Sequence, residues 1–290
     1  MSAAIDAVAV IHTPVRNQLG EGPLWSVRDQ SLYWVDILER TLFRLHWNDR
    51  RVECWSMPEM IGWIVEREHH PGFIAGFANG FAELKLDPLL IVPIADPEPH
   101  LPHNRMNDAK VDAWGRIWAG TMDIGAVKES GSLYWLDATR LVTTVDTGYV
   151  IANGPTFSLD GRIAFHTDSA RRLIYQFEMA DDGSVGPRSI FLDCTSEHGK
   201  PDGMTVDSEG ALWVAFWGSG EVRSYDTCGR VMRTFALPAT QVTSCAFGGK
   251  DMNRLFVTSA AVDRAEEALA GALFEIDAGV RGIPSFRYKA

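Results

Sequence analysis

The sequence predicts an all-β chain folded as a six-bladed β-propeller, on three observations. Short runs rich in Trp, Tyr, Phe, Val and Ile alternate with Gly, Asp, Asn and Pro along the chain, the pattern of strands joined by tight turns. One class of run recurs six times, its starts separated by 41, 44, 46, 49 and 43 residues, a period that signals a repeated supersecondary unit. No amphipathic helical pattern interrupts the repeat, and only residues 263–269 are expected to form a short helical turn.

The recurring class reads as the middle strand of each blade: Leu32 to Asp36, Phe73 to Gly76, Ile117 to Gly120, Ile163 to His166, Leu212 to Ala215 and Leu255 to Thr258. A second class follows each copy, beginning at Leu42, Ala82, Leu133, Ile174, Val222 and Leu273. A third precedes each, beginning at Gly22, Gly62, Ala109, Gly154, Gly203 and Ser244. Between inner and middle strands lie turns such as Asp112-Ala113-Trp114-Gly115 and Asp207-Ser208-Glu209-Gly210, with Gly where a positive φ is needed. Three strands and a weaker outer one per unit cannot bury both sheet faces alone, so the units must stack in a closed ring. A strand around Val8 to His12 is expected to complete the last blade, and residues 1–290 to form one domain. A β-sandwich also has short strands and frequent turns, but it does not repeat three strand classes six times.

The chain has 290 residues, 46% apolar and 22% charged, with a formal charge of −11; this is globular composition with an acidic balance. An acidic surface disfavours nucleic acid, whose binders need a basic stripe to displace counterions. The longest apolar run, Leu89 to Ala95, is far short of the roughly 18 residues of a spanning helix. Cys54, Cys194, Cys228 and Cys245 form no CxxC pair, so neither a disulfide framework nor a zinc finger is expected. With no basic-flanked apolar leader at the N-terminus, the expected location is the cytoplasm, away from any membrane.

The repeat register locates a candidate site. The start of each inner strand lies at one mouth of the central channel, and six residues fall there: Glu21, Ile61 or Gly62, Asn107, Asn153, Asp202, and Thr243 or Ser244. Four blades thus bring a carboxylate or carboxamide to one level around one axis. Burying these together is unfavourable unless something satisfies them, and a divalent cation does so. Hard oxygen donors suit calcium, magnesium or manganese; zinc remains possible at an open catalytic site, although no thiolate joins the set. Glu21, Asn153 and Asp202 each precede Gly, and each taken singly also reads as a turn; their shared register argues for a shared site. Arg105 reads either as a satisfied surface charge or as a charge-assisted clamp on a polar substrate.

Other polar residues read as structural. His69, His70, His100 and His103 read as solvated, and His166 and Asp168, which follow a middle strand, as residues in buried structural hydrogen bonds. His198 lies near the mouth in sequence. Gly218-Ser219-Gly220 reads as a hairpin and not as a phosphate cradle. Most Trp residues are expected between blades, with Trp25 and Trp217 as candidates near the channel. No GxSxG elbow and no cysteine nucleophile stands out.

At these residues the chain resembles the SMP-30/gluconolactonase/regucalcin family of six-bladed propellers. The resemblance rests on Leu19-Gly20-Glu21-Gly22-Pro23, Asn104-Arg105-Met106-Asn107-Asp108 and Trp118-Ala119-Gly120-Thr121-Met122. It continues through Asn153-Gly154-Pro155, Pro201-Asp202-Gly203-Met204 and Thr243-Ser244-Cys245-Ala246-Phe247-Gly248-Gly249. It implies one divalent metal, calcium or zinc first and manganese or magnesium next, held by Glu21, Asn153 and Asp202. It also implies that Arg105 and Asn107 contact substrate and that Asp202 is the general base. Asp123 stands where some relatives place a Glu that contacts the sugar.

The expected activity is a metal-dependent lactonase that opens a sugar lactone to its aldonic acid, acting as a monomer or weak homo-oligomer. A calcium-binding regulatory protein without turnover, and a hydrolase of non-sugar lactones or organophosphates, share the same fold and metal and stay open.

Overall fold

The computed structural model describes residues 8–11, 13 and 15–290. It contains six four-stranded antiparallel sheets arranged as the blades of a β-propeller, and no helix among the described residues. Blade 1 comprises β2 (Gly20–Ser26), β3 (Ser31–Asp36), β4 (Thr41–His46) and β5 (Val52–Ser56). Blade 2 comprises β6 (Ile61–Glu66), β7 (Phe73–Phe77), β8 (Gly80–Leu86) and β9 (Leu89–Ala95). In blade 3 the strands are β10 (Asn104–Val111), β11 (Ile117–Asp123), β12 (Gly131–Leu136) and β13 (Val142–Tyr149). Blade 4 holds β14 (Ala152–Phe157), β15 (Ile163–Asp168), β16 (Leu173–Glu178) and β17 (Ser189–Asp193). Blade 5 holds β18 (Lys200–Val206), β19 (Leu212–Trp217), β20 (Glu221–Tyr225) and β21 (Val231–Ala236). Blade 6 is β22 (Val242–Gly248), β23 (Arg254–Ser259) and β24 (Leu273–Asp277), completed by β1 (Val8–Ile11).

The expected closure is present: Val8 pairs with Ile276 and Ile11 with Leu273, so the two ends of the chain share one sheet. His12, the last residue expected in that strand, lies outside the described residues. The helical turn expected at 263–269 is a series of turns instead. Arg264 N to Ala261 O (3.0 Å), Glu267 N to Arg264 O (3.2 Å) and Ala270 N to Glu267 O (3.2 Å) close separate turns that never accumulate into a helix, whose nucleus is costly to form.

Stacking explains the apolar periodicity. Each of six buried clusters straddles one blade–blade interface. Leu24, Tyr33, Val35, Ile61, Ile64 and Phe73, for example, join blades 1 and 2, while Trp25, Trp34, Ile11 and Phe256 join blades 1 and 6. Trp34, Trp63, Trp118 and Trp213 are fully buried in these seams. Each such aromatic stabilises the ring by about 1.5–3 kcal/mol relative to exposure. Trp25, a candidate for the channel, packs in the seam as well, its ring stacked on Phe256 at 5.9 Å and 2% exposed.

The hairpin turns also position this core. Asp112 accepts from the backbone N–H of Trp114 and Arg116 and from Trp118 Nε1 at 2.9 Å. Asp207 repeats the device in blade 5, accepting from Glu209, Ala211 and Trp213 Nε1 at 2.7 Å. The closing glycines Gly115 and Gly210 have φ of +82° and +87°, the left-handed conformation that side chains resist.

Candidate functional site

A β-bulge interrupts all six innermost strands at one level. The register shifts between Glu21 and Leu24, Ile61 and Trp63, Met106 and Ala109, Asn153 and Thr156, Pro201 and Met204, and Val242 and Cys245. A bulge bends a strand and re-aims the residues it contains. Asn107, Asp202 and Thr243 lie within it, Glu21, Ile61 and Asn153 immediately before it, so the shared level has a backbone cause. Glycine permits the crowding: Gly22 has φ +56°, and a Cβ on Gly203 would lie 2.8 Å from Ser244 Cα.

Glu21, Arg105, Asn107, Asn153 and Asp202 come together here, all buried. A directional hydrogen-bond chain links polar groups of blades 3 and 4. Arg105 Nη1 donates to Asn107 Oδ1 at 2.6 Å, Asn107 Nδ2 donates to Asn153 Oδ1 at 2.6 Å, and Asn153 Nδ2 donates to Ser169 Oγ at 2.9 Å. Asn107 Nδ2 also reaches the Ala152 carbonyl at 2.8 Å. The chain fixes the orientation of both amides, because each has its donor and acceptor ends assigned.

The carboxylates are less well served. Glu21 accepts only from the backbone N–H of its neighbour Gly22, at 3.0 Å, and Asp202 Oδ1 is buried with no hydrogen-bond partner. Burial, followed by repulsion from Asp108, pushes the Glu21 carboxyl up to about 8. Burial and then repulsion from Glu21 and Asp108 hold Asp202 well above the usual carboxylate range. Burial pushes Arg105 down to about 10 even though Glu21 and Asp202 pull it the other way. A polar well with an orphaned carboxylate oxygen and raised carboxyls is one that a cation would relieve.

The donors fit a hard divalent ion: two carboxylates and a carboxamide oxygen, with neither thiolate nor imidazole among them. Among the described residues no three His, Cys, Asp or Glu side chains converge on one metal position, so the set depends on Asn153.

Asp108 was not singled out by the register, yet it belongs to this cluster. It occupies the position just after the register residue, where blades 1, 2, 4 and 5 carry Gly22, Gly62, Gly154 and Gly203. Its carboxylate accepts from Ala109 N at 2.7 Å and from Gly154 N at 3.0 Å, tying blade 3 to blade 4. A carboxylate in a column of glycines was the available signal. Glu98, also missed, is buried beside Arg105 and accepts from Asn104 Nδ2, Thr121 Oγ1 and Tyr134 OH at 2.8–2.9 Å. Together with Asn104, Arg105 and Thr121 it lines a cavity of about 90 Å³.

Asp123 stands apart. It pairs in register with Asn104, and its carboxylate accepts from Val127 N at 3.4 Å and faces Lys128 Nζ at 3.8 Å, both in its own loop. His69, His70, His100, His103 and His198 are exposed. Of the two residues expected in buried structural hydrogen bonds, Asp168 makes them and His166, among the described residues, does not. Asp168 caps the turn after β15, accepting from Val150, Ala170 and Arg171, while both ring nitrogens of the buried His166 lack partners. Burial lowers the His166 pKa to about 3, and its ring stacks edge-on to Tyr149 at 4.7 Å.

Fold and site together define a six-bladed propeller with a buried oxygen-donor well at one level of its channel. The chain belongs to the SMP-30/gluconolactonase/LRE-like family, whose model matches residues 19–261. It is 36% identical over 253 residues to 6-deoxy-6-sulfogluconolactonase of Pseudomonas putida, covering 87% of each chain. It is 35% identical to pentonolactonase XacC of Haloferax volcanii, covering 96% of each. The crystal structure of regucalcin from Agrobacterium tumefaciens, described as a calcium-binding protein, superposes with a TM-score of 0.92 at 29% identity, covering 97% of each chain.

Proposed function

We propose that this protein is a metal-dependent lactonase that hydrolyses a sugar lactone to the corresponding aldonic acid. The observation that carries the reading is the orphaned Asp202 oxygen in a well of Glu21 and Asn153, with a buried Arg105 at its side. Two relatives named as lactonases, each aligned over most of its length, support the same chemistry. No helix among the described residues is long and apolar enough to cross a membrane, and the four cysteines are unpaired, which suits a reducing cytoplasm.

Glu21, Asn153 and Asp202 would hold the cation. Bound there, a divalent ion such as calcium, zinc, manganese or magnesium supplies Lewis-acid polarisation of the lactone carbonyl. Arg105 has further N–H donors beyond the one given to Asn107, and these would bind ring hydroxyls. Asn107 holds Arg105 and Asn153 in register, so substrate clamp and metal donor are positioned by one amide. Asp202 would take a proton from water as the water oxygen bonds to the carbonyl carbon. The ring C–O bond then breaks and the departing oxygen receives the proton, leaving a hydroxy acid. Asp123 would contribute to substrate only from its loop.

The test is acid release from a panel of lactones by metal-stripped protein with each cation added back, read against spontaneous opening. Cation-dependent turnover of a sugar lactone supports the reading. Tight cation binding with no turnover of any lactone would replace it with a calcium-binding protein, the reading that the regucalcin likeness favours.

A further inference from the structure

Below the bulge level the channel continues into a cavity of about 60 Å³, and one side chain crosses it. Lys110 leaves β10 of blade 3 and donates from Nζ to the Met204 carbonyl of blade 5 at 3.0 Å, passing beneath the intervening blade 4. Its walls include Asp108, Thr156, Thr205 and Ser244 among apolar side chains such as Trp63 and Phe157. One side is lined by Ile283, Pro284, Ser285 and Phe286 of the C-terminal segment, which runs between the Asp207–Gly282 and Arg67–Tyr288 bridges. The half-buried ammonium is therefore held at a fixed place in a partly covered cavity, where charge is screened less than at an open surface.

We propose that Lys110 is a positioning residue for the cation site, the built-in positive charge that holds its affinity for a divalent ion down. The inference rests on the reading that Glu21, Asn153 and Asp202 hold such an ion. Once an ion has selected the ionised forms, three buried carboxylates, Glu21, Asp108 and Asp202, face two protein cations, Arg105 and Lys110, a balance of one net negative charge before the ion's own charge is added. Lys110 acts electrostatically on both Glu21 and Asp108, and Asp108 acts on Glu21 and Asp202, so the lysine reaches the donors directly and through Asp108. A divalent ion then brings the cluster to one net positive charge. With Lys110 neutral, the same ion would only balance the cluster and would meet no repulsion from below.

The direction of the effect separates this role from a structural one. Losing a tether should loosen the donors and weaken binding, whereas losing a repelling charge should tighten it. Isothermal titration of calcium and of manganese into metal-stripped protein at low ionic strength reads the difference. Lys110→Met should bind on the order of tenfold more tightly than wild type. Lys110→Gln, which keeps a donor for the Met204 carbonyl, should do the same, and Lys110→Arg should stay close to wild type. Circular dichroism melts select the neutral variants that are folded, and Lys110→Gln serves where Lys110→Met is not. Folded neutral variants that bind as wild type does, or more weakly, overturn the proposal, as does tightening in Lys110→Arg. If wild type takes up neither ion, it is the assignment of the cation site that fails.

Discussion

Blades 5 and 6 carry the same bulge in the same strand, but they fill it differently. In blade 5 it holds Asp202, whose oxygen has no partner; in blade 6 it holds Thr243, whose hydroxyl is bonded to Thr258 and to the Gly20 carbonyl. One bulge is chemically finished and the other is not. The backbone device belongs to the architecture and is present in every blade, whereas among the described bulge residues the orphaned carboxylate oxygen is that of Asp202 in blade 5. Unfinished hydrogen bonding at a buried position costs stability, and such positions are where a ligand gains most.

Finishing the bulge of blade 5 is the sharpest way to break that contrast. Asp202→Asn should lower kcat/KM by about a thousandfold or more, because it removes a charged donor and the proposed base together. The same change removes a buried, repelled carboxylate, so metal-free Asp202→Asn should melt above metal-free wild type at pH 8 in calorimetry. Lower melting in the variant would mean that the carboxylate is already satisfied. Arg105→Ala comes next. It takes away donors for substrate without touching the cation donors, so kcat/KM should fall by about a hundredfold while titration still detects cation binding.

The pH dependence of the metal-free protein probes the cost of leaving the well unfinished. The Glu21 carboxyl sits near 8 in the fold against 4.5 for its ordinary value, and Asp202 shifts in the same direction. Between those values the folded state holds a proton that the unfolded chain has released, so stability falls as pH rises through the window. A cation selects the ionised carboxylates and should reverse the loss. The melting temperature of metal-free protein should drop by about 2–5 °C from pH 5 to pH 8, and added calcium should raise it more at pH 8 than at pH 5. A cation-induced rise that is equal at both values would contradict the raised carboxyls.

These contrasts also show what the sequence could and could not reveal. The six-fold repeat and the seams were legible because inter-blade packing demands large apolar side chains at a fixed period. The inner strands were read too short. β10 begins at Asn104 and β18 at Lys200, several residues before the apolar runs that mark them, because bulge residues are polar and break the alternation. Register still placed Glu21, Asn107, Asn153 and Asp202 at one level, since every blade bulges at the same point. Asp108 escaped because register compares one position per blade, and the bulge presents two. Lys110 and Glu98 act through contacts more than 20 residues distant in sequence, with Met204, Thr121 and Tyr134, which no local pattern announces. The partnerless nitrogens of His166 have the same origin: they depend on what blade 3 places beside blade 4.

Asp123 gives the smallest expected effect and the finest test of the contrast. It is as buried as Asp202, at 4% against 5% exposure, and it is a carboxylate at the end of β11. Unlike Asp202, it is engaged by its own loop through Val127 N and Lys128. If unfinished bonding marks the chemical positions, burial and charge alone are not enough, and Asp123 should matter mainly for holding the 124–128 loop. Asp123→Asn retains an acceptor for Val127, so its kcat should stay within about threefold of wild type, with any change confined to KM. A loss of kcat comparable to that of Asp202→Asn would show that the loop rearranges to present Asp123 to substrate. The distinction between satisfied and unsatisfied carboxylates would then hold only for the ligand-free state.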